Sequence, residues 1–319
     1  MPMVLNVFGY KKSDLKDLIF CVDLYLRKIK YFFVNQIWSD KALINRQFKH
    51  YQGHQMNWEK PRTLNEKMQW LKLHDRKPLF TQLADKIGMR DYVAKELGED
   101  LLVPLLYRTR DYRDLRPENL PEPPFIIKAN HNSGSFVIVR DKSEINWEKV
   151  RKEFRFALQW NYYWSEREWQ YKHIVPEILV ERLLETQDGK IPNDYKINCL
   201  NGEVAFVYVA VDREGKNKRN IYDKNWQPLP FTWAKFYKDH AGMRGDEVEA
   251  PPTLQKMYEV SEKVAQLYPY VRVDFYDVDG RLYIGEITQC QGGGYDQFLP
   301  FKWDEYWGEK MPLKGVDYE

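Results

Sequence analysis

Two carboxylates in the last third of the chain carry the clearest chemistry. Asp274 and Glu286 lie in the apolar stretches VRVDFYD (271–277) and LYIGEIT (282–288), twelve positions apart across a turn containing Asp279-Gly280. Strand side chains alternate with period two, so the loop length decides whether the two acids meet. A three-residue loop (Asp279, Gly280, Arg281) sets them opposite each other, with Arg272 and Thr288 on the same face. A two-residue loop sends them to opposite faces. In the odd register, carboxylates about 4 Å apart repel by about 4 kcal/mol at an effective dielectric near 20. A bound cation relieves this, and oxygen-only donors suit Mg²⁺. A merely solvated pair is the alternative.

Other residues of this kind are spread along the chain. Lys128 closes the run FIIK (125–128) just before the polar loop ANHNSGS (129–135). Such a loop can turn backbone N–H groups toward a phosphate, with the lysine as a point charge. It can equally be an ordinary hairpin loop in which His131 bonds the turn. Glu181 sits inside the apolar stretch ILVERLL, where a buried carboxylate needs a partner or a ligand. Asp194 and Lys196, two apart on one predicted strand, share a face as an ion pair or as part of a site. Lys218, Arg219 and Asn220 read by themselves as loop charge.

These residues need strands and helices to hold them. The run FIIK, the loop 129–135 and FVIV (136–139) read as strand, loop, strand, followed by a strand at 177–184. Asn201-Gly202 between DYKINCL (194–200) and EVAFVYVAV (203–211) is a strong hairpin signal. Helices are predicted within 60–80, from Thr81 with the stripe Leu83, Ile87 and Leu97, over 147–164 behind an Asn146 cap, and over 253–268 after Pro252. The stretch 15–34 mixes large apolar groups with Arg27, Lys28 and Lys30. It reads as a helix packed on the body, with weak association at an anionic membrane surface as the alternative. This order of elements is α+β.

Composition narrows the class. The chain has 319 residues, enough for about two domains at roughly 150 residues each. With 49 Lys+Arg against 47 Asp+Glu the net charge is +2, so no basic field points to nucleic acid. Three distant cysteines offer neither a disulfide framework nor a Cys-x-x-Cys site, and a reducing cytoplasm fits. Met1 to Lys12 lacks a leader pattern, and no run approaches the ~20 apolar residues of a membrane span. Aromatic residues reach 15%, which reads first as core and second as a sugar-binding surface.

In order, FIIKANHNSG, ILVERLL, NDYKINCLNGEV, VRVDFY and GEIT resemble the ATP-grasp superfamily, in particular the branch named for teichuronopeptide biosynthesis (TupA-like). The likeness runs from about Thr81 to Trp307. It implies an ATP-grasp core of two α+β subdomains clasping ATP, over 81–176 (phosphate loop 129–135) and 177–319, preceded by a helical segment at 1–80. It implies that Lys86 and Lys128 reach the phosphates and that Asn130, His131, Ser133 and Gly134 cover them. Glu181 and the backbone of Arg182, Leu183 and Leu184 are matched to adenine and ribose, and Asp194 to the ribose side. Lys196 is matched to the basic residue beside Asp194, and Arg219-Asn220 to a pair near the γ-phosphate and acyl phosphate, so that Lys196 and Arg219 are implied as catalytic, with Asp274 and Glu286 as Mg²⁺ ligands. Thr288 stands where most of the superfamily has Asn. Gln289, the next residue, is expected on the other face. The glycines 292–294 look like a closing turn beside the acceptor.

The resulting expectation is a cytoplasmic ATP- and Mg²⁺-dependent ligase, peripheral at most to the inner face of a membrane. It would activate a carboxylate as an acyl phosphate and pass it to an amine. The branch implies a cell-surface polymer as substrate: an amino acid joined to a uronic acid of a surface polysaccharide or related glycan, or glutamate chains attached to a glycan. A glycosyltransferase is the alternative suggested by Asp277-Val278-Asp279, and a noncatalytic ATP- or glycan-binding protein is another.

Overall fold

The computed structural model describes residues 14–211, 215, 218–235 and 243–316, with the side chains of 14–21, 23, 24, 35 and 36 excepted. The stretch Met1 to Lys12 lies outside the described residues. In chain order the helices are α1 (Asp14–Ile37), α2 (Asp40–Gln52), α3 (Leu64–His74), α4 (Pro78–Ala84), α5 (Lys86–Glu96), α6 (Trp147–Ala157), α7 (Tyr163–Glu166), α8 (Leu254–Ala265) and α9 (Lys302–Glu309). The strands are β1 (Leu105–Thr109), β2 (Phe125–Ala129), β3 (Phe136–Val139), β4 (Ile178–Arg182), β5 (Asp194–Leu200), β6 (Glu203–Val211), β7 (Lys218–Tyr222), β8 (Thr232–Ala234), β9 (Tyr270–Val278), β10 (Arg281–Thr288) and β11 (Gln297–Leu299).

The chain forms two compact units interleaved in sequence: residues up to Leu43 with 104–167 and 171–183, and residues 44–103 with 168–170 and 184 onward. Strand pairing explains why these boundaries differ from 1–80, 81–176 and 177–319. The first unit holds an antiparallel sheet in the order β1-β4-β2-β3, which takes in 178–182. Its core joins Phe125, Ile127, Val137 and Val180 to Val150 and Phe154 of α6. The second unit holds an antiparallel sheet in the order β10-β9-β5-β6-β7. One face of that sheet, through Ile197, Val209, Val273 and Phe275, packs in a core with Phe80, Met89, Met257 and Val264 from α4, α5 and α8.

Local chemistry sets most element ends. Asn201 and Gly202 both have positive φ, as a two-residue hairpin turn with right-handed strand twist requires. Asn146 caps α6 by accepting from the Lys149 N–H. The helix expected over 147–164 nevertheless ends at Ala157, and 163–166 forms a separate short turn. The helix expected from Thr81 is also divided, because the Asp85 carboxylate accepts from the Ile87 N–H and starts α5 afresh at Lys86. Lys218 to Asn220, read as loop charge, are a strand edge of the five-stranded sheet.

The helix α1 only partly meets the packed expectation. Tyr31 meets Trp160 edge-on, and Lys28 bonds Gln159. Tyr25, Leu26, Phe32 and Phe33 remain more than half exposed. Among the described residues no helix is long and apolar enough to cross a membrane.

Candidate active site

The site begins at the β9–β10 hairpin, where both loop-length expectations are corrected. Arg281 pairs with Val278, so the turn is the two-residue Asp279-Gly280, both with positive φ. That turn alone would part the acids. The register shifts between Ile284 and Glu286, however, and Glu286 ends opposite Asp274. Gly285 is the extra residue of a β-bulge, which moves every later side chain to the other face. Leu282 and Ile284 accordingly face the core before it, and Ile287 after it. A Cβ at Gly285 would lie 2.8 Å from the Tyr276 ring, so glycine is what lets the bulge form beneath that ring.

The bulge completes an ionic row. Lys196 of β5 lies opposite Asp274 on one side, as Glu286 does on the other. The Lys196 ammonium reaches Asp194 at 2.6 Å and Asp274 at 2.5 Å. Arg272 grips Asp274 with two bonds of 2.5 and 2.7 Å and approaches Glu286 at 3.4 Å. Lys86, at the first turn of α5, stands 3.9 Å from Glu286. Three carboxylates thus face three cations, and the repulsion expected to demand a metal is already relieved by the protein's own charges.

Burial acts on Asp274, Glu286, Lys196 and Arg272. It pushes the Asp274 carboxyl above its ordinary range against the pull of Arg272 and Lys196. Burial opposes ionisation of Glu286 too, but Lys86, Arg272 and Lys196 together hold that carboxyl lower. Burial works against the Lys196 charge, while Asp194 and Asp274 more than offset it and keep the pKa raised.

The donors left over fit a hard cation. Asp274 Oδ1 takes one bond, from Arg272 Nε, and a carboxylate oxygen can accept two. Thr288, opposite Arg272, has a buried hydroxyl oxygen with no hydrogen-bond partner. Asp274, Glu286 and Thr288 form an oxygen-only set, as Mg²⁺ prefers when phosphates and waters complete its shell. Among the described residues no group of three or more His, Cys, Asp or Glu side chains converges as a metal cage. Gln289 points to the other face, where its amide reaches the Tyr268 hydroxyl at 3.4 Å.

The remaining predicted residues divide. Arg219 of β7 stands opposite Ala210, which pairs with Asp194, and its guanidinium lies over the Tyr208 ring at 5.7 Å. It therefore shares the ionic face. Asn220 faces the other way and holds the 245–246 backbone. In the first unit Lys128 meets Glu181 at 2.8 Å, which supplies the partner that the buried acid needs. The backbone N–H groups of Arg182 and Leu183 bond Pro104 and Pro124, while Leu184 opens the next segment of the second unit.

In the loop 129–135, Asn130 and His131 are turned inward. Asn130 accepts from the Glu177 N–H and donates to Val175, and the His131 ring bridges Asn130 to the Ala157 carbonyl. Their side chains secure the loop. Ser133 and Gly134 at its tip are exposed.

Asp277 and Asp279 are taken up locally, by Thr253 and Gly280 and by the Gln187 N–H, so the Asp-x-Asp is turn chemistry. Two neighbours of the site carried no spacing signal. Gln291 accepts from Arg272, and Asp296 accepts from Gln291 at 2.8 Å.

The model of the TupA-like ATPgrasp family matches residues 66–312, and the chain belongs to that family. The ATP-grasp fold is that of ATP-dependent ligases. Solved structures similar to the chain include a D-alanine–D-alanine ligase from Bacillus anthracis (15% identity, 70% of this chain and 57% of that one, TM-score 0.37). The ATP-grasp ligase PsnB complexed with a minimal precursor is another (12% identity, 66% and 53%, TM-score 0.38). A third is the D-alanine–D-alanine ligase from Helicobacter pylori (17% identity, 78% and 69%, TM-score 0.37). The chain thus spans little more than half the length of the first two. Among the curated proteins none matches it.

Proposed function

We propose that the chain is an ATP- and Mg²⁺-dependent carboxylate–amine ligase. In this reading the γ-phosphoryl of ATP passes to a substrate carboxylate, and an amine then displaces phosphate from the acyl phosphate to form an amide. The observation that carries it is the bulge-set row in which Asp274 and Glu286 stand together among Lys86, Lys196 and Arg272. Bound Mg²⁺, held by Asp274, Glu286 and Thr288, would neutralise phosphate charge. Lys86, Lys196 and Arg219 would hold the moving phosphoryl and its carboxylate acceptor. Positioning and electrostatic stabilisation supply most of the rate in such transfers. Asp194, Lys128, Glu181 and the 182–184 backbone are assigned to the nucleotide, with Ser133 and Gly134 of the loop tip.

Membership in the TupA-like family supports a surface-polymer substrate, with an amino acid joined to a glycan uronic acid. An ADP-release screen of amino acids crossed with uronic-acid oligosaccharides tests this. The expected product mass is that of both substrates less one water; ADP release without such a product would refute it. The same reading places the enzyme in the cytoplasm, with the open side of α1 as a weak contact with the inner face of a membrane. Co-sedimentation with anionic vesicles that survives Phe32→Asp/Phe33→Asp would remove that contact.

A further inference from the structure

Next to the ionic row lies a carboxylate that the reaction above leaves unused. Asp296 is only 5% exposed, and it follows the glycine turn 292–294. Its backbone carbonyl is fixed by Gln52, Asn65 and Trp233. A chain of bonds fixes its side chain. Arg272, which grips Asp274, donates to the Gln291 carbonyl oxygen, so the Gln291 amide N–H₂ must point onward and donates to Asp296 Oδ2 at 2.8 Å. Among the described residues no donor reaches Oδ1.

The turn is shaped around this carboxylate. A Cβ at Gly292, itself at φ +54°, would overlap the Asp296 carboxylate group. The charges acting on Asp296 include Arg219, Lys235 and Arg272, and the titratable hydroxyls of Tyr208 and Tyr270 lie within its field. A buried acid with one oxygen still able to accept is suited to the one cationic group the reaction brings, the protonated amine.

We propose that Asp296 is the acceptor-amine site: its open oxygen binds the primary ammonium of the incoming substrate and takes one proton from it before attack. This rests on the ligase reading and adds to it the residue that readies the nucleophile. The ammonium gives a proton to Asp296 Oδ1, and the freed lone pair attacks the acyl-phosphate carbon. The C–N bond forms as the C–O bond to phosphate breaks. The second amine proton leaves with phosphate as HPO₄²⁻, and Asp296 returns its proton to solvent. Burial raises the Asp296 carboxyl pKa against the pull of Gln291, Arg219, Lys235 and Arg272, which suits a proton acceptor.

Hydroxylamine, already unprotonated at neutral pH, separates the two steps because it traps an acyl phosphate without needing a base. The enzyme and Asp296→Asn are each given Mg-ATP, uronic-acid oligosaccharides, and either hydroxylamine or a mixture of amino acids. The expected result is about a 100-fold loss of amide formation in the variant, the size of a general-base effect. Hydroxamate formation should fall less than about threefold, and the acidic limb of the amide pH profile should move up toward the ionisation of the amine itself. Equal losses with both nucleophiles, or an unchanged amide rate and limb, would overturn the proposal. Absence of hydroxamate from the unaltered enzyme would instead refute the ligase reading, and this proposal with it.

Discussion

The ion pair of the four-stranded sheet and the ionic row of the five-stranded sheet use the same residue types but are assembled differently. Lys128 and Glu181 meet diagonally across a regular ladder, in which Lys128 pairs with Leu179 and Ile126 with Glu181. Their parities alone put them on one face. Asp274 and Glu286 share a face only because Gly285 adds a residue to β10. In the regular sheet the contact follows from counting; in the bulged one it depends on where an extra residue enters a strand. The row also couples more charges, so its parts should be less separable than the pair.

Removing the centre of the row should have the largest effect. Asp274→Ala leaves Arg272 and Lys196 buried without the acid they share, and such a break costs about 3–5 kcal/mol. Urea unfolding would show it; a loss below about 1 kcal/mol would mean that the row is solvated rather than cooperative. Gly285→Ala comes next, at about 1–3 kcal/mol, because the new Cβ must displace the Tyr276 ring. Adding Tyr276→Leu should restore part of that loss, and strictly additive effects would place the strain elsewhere. The smallest effect is expected in the regular sheet. Glu181→Gln keeps a hydrogen-bond acceptor for Lys128, which is 18% exposed, so about 1 kcal/mol is expected. A loss as large as that of Asp274→Ala would erase the contrast.

The same contrast explains what the sequence could disclose. Strands with plain alternation and a marked turn, such as 194–200 and 203–211 around Asn201-Gly202, were legible because turn type and period agree. The identity of the acids was legible too, but their meeting was not: parity counting assumes an unbroken ladder. The signal that could have shown the bulge is the phase change of the apolar residues, from Leu282 and Ile284 to Ile287. The helix expected through Asp85 failed because a side-chain cap overrides an apolar stripe. His131 was ambiguous because its partners, Ala157 and Trp160, are distant in sequence. Asp296 gave no signal, since its setting depends on Gln291 and on a close approach to Gly292.

Calorimetric titration of ATP into the protein and into Glu286→Gln, each with and without magnesium, addresses the row most directly. Magnesium should tighten binding to the unaltered protein at least about tenfold, roughly 1.4 kcal/mol, and that gain should vanish in the variant while metal-free binding persists. No nucleotide uptake with magnesium present, or an undiminished magnesium effect in Glu286→Gln, would contradict the account.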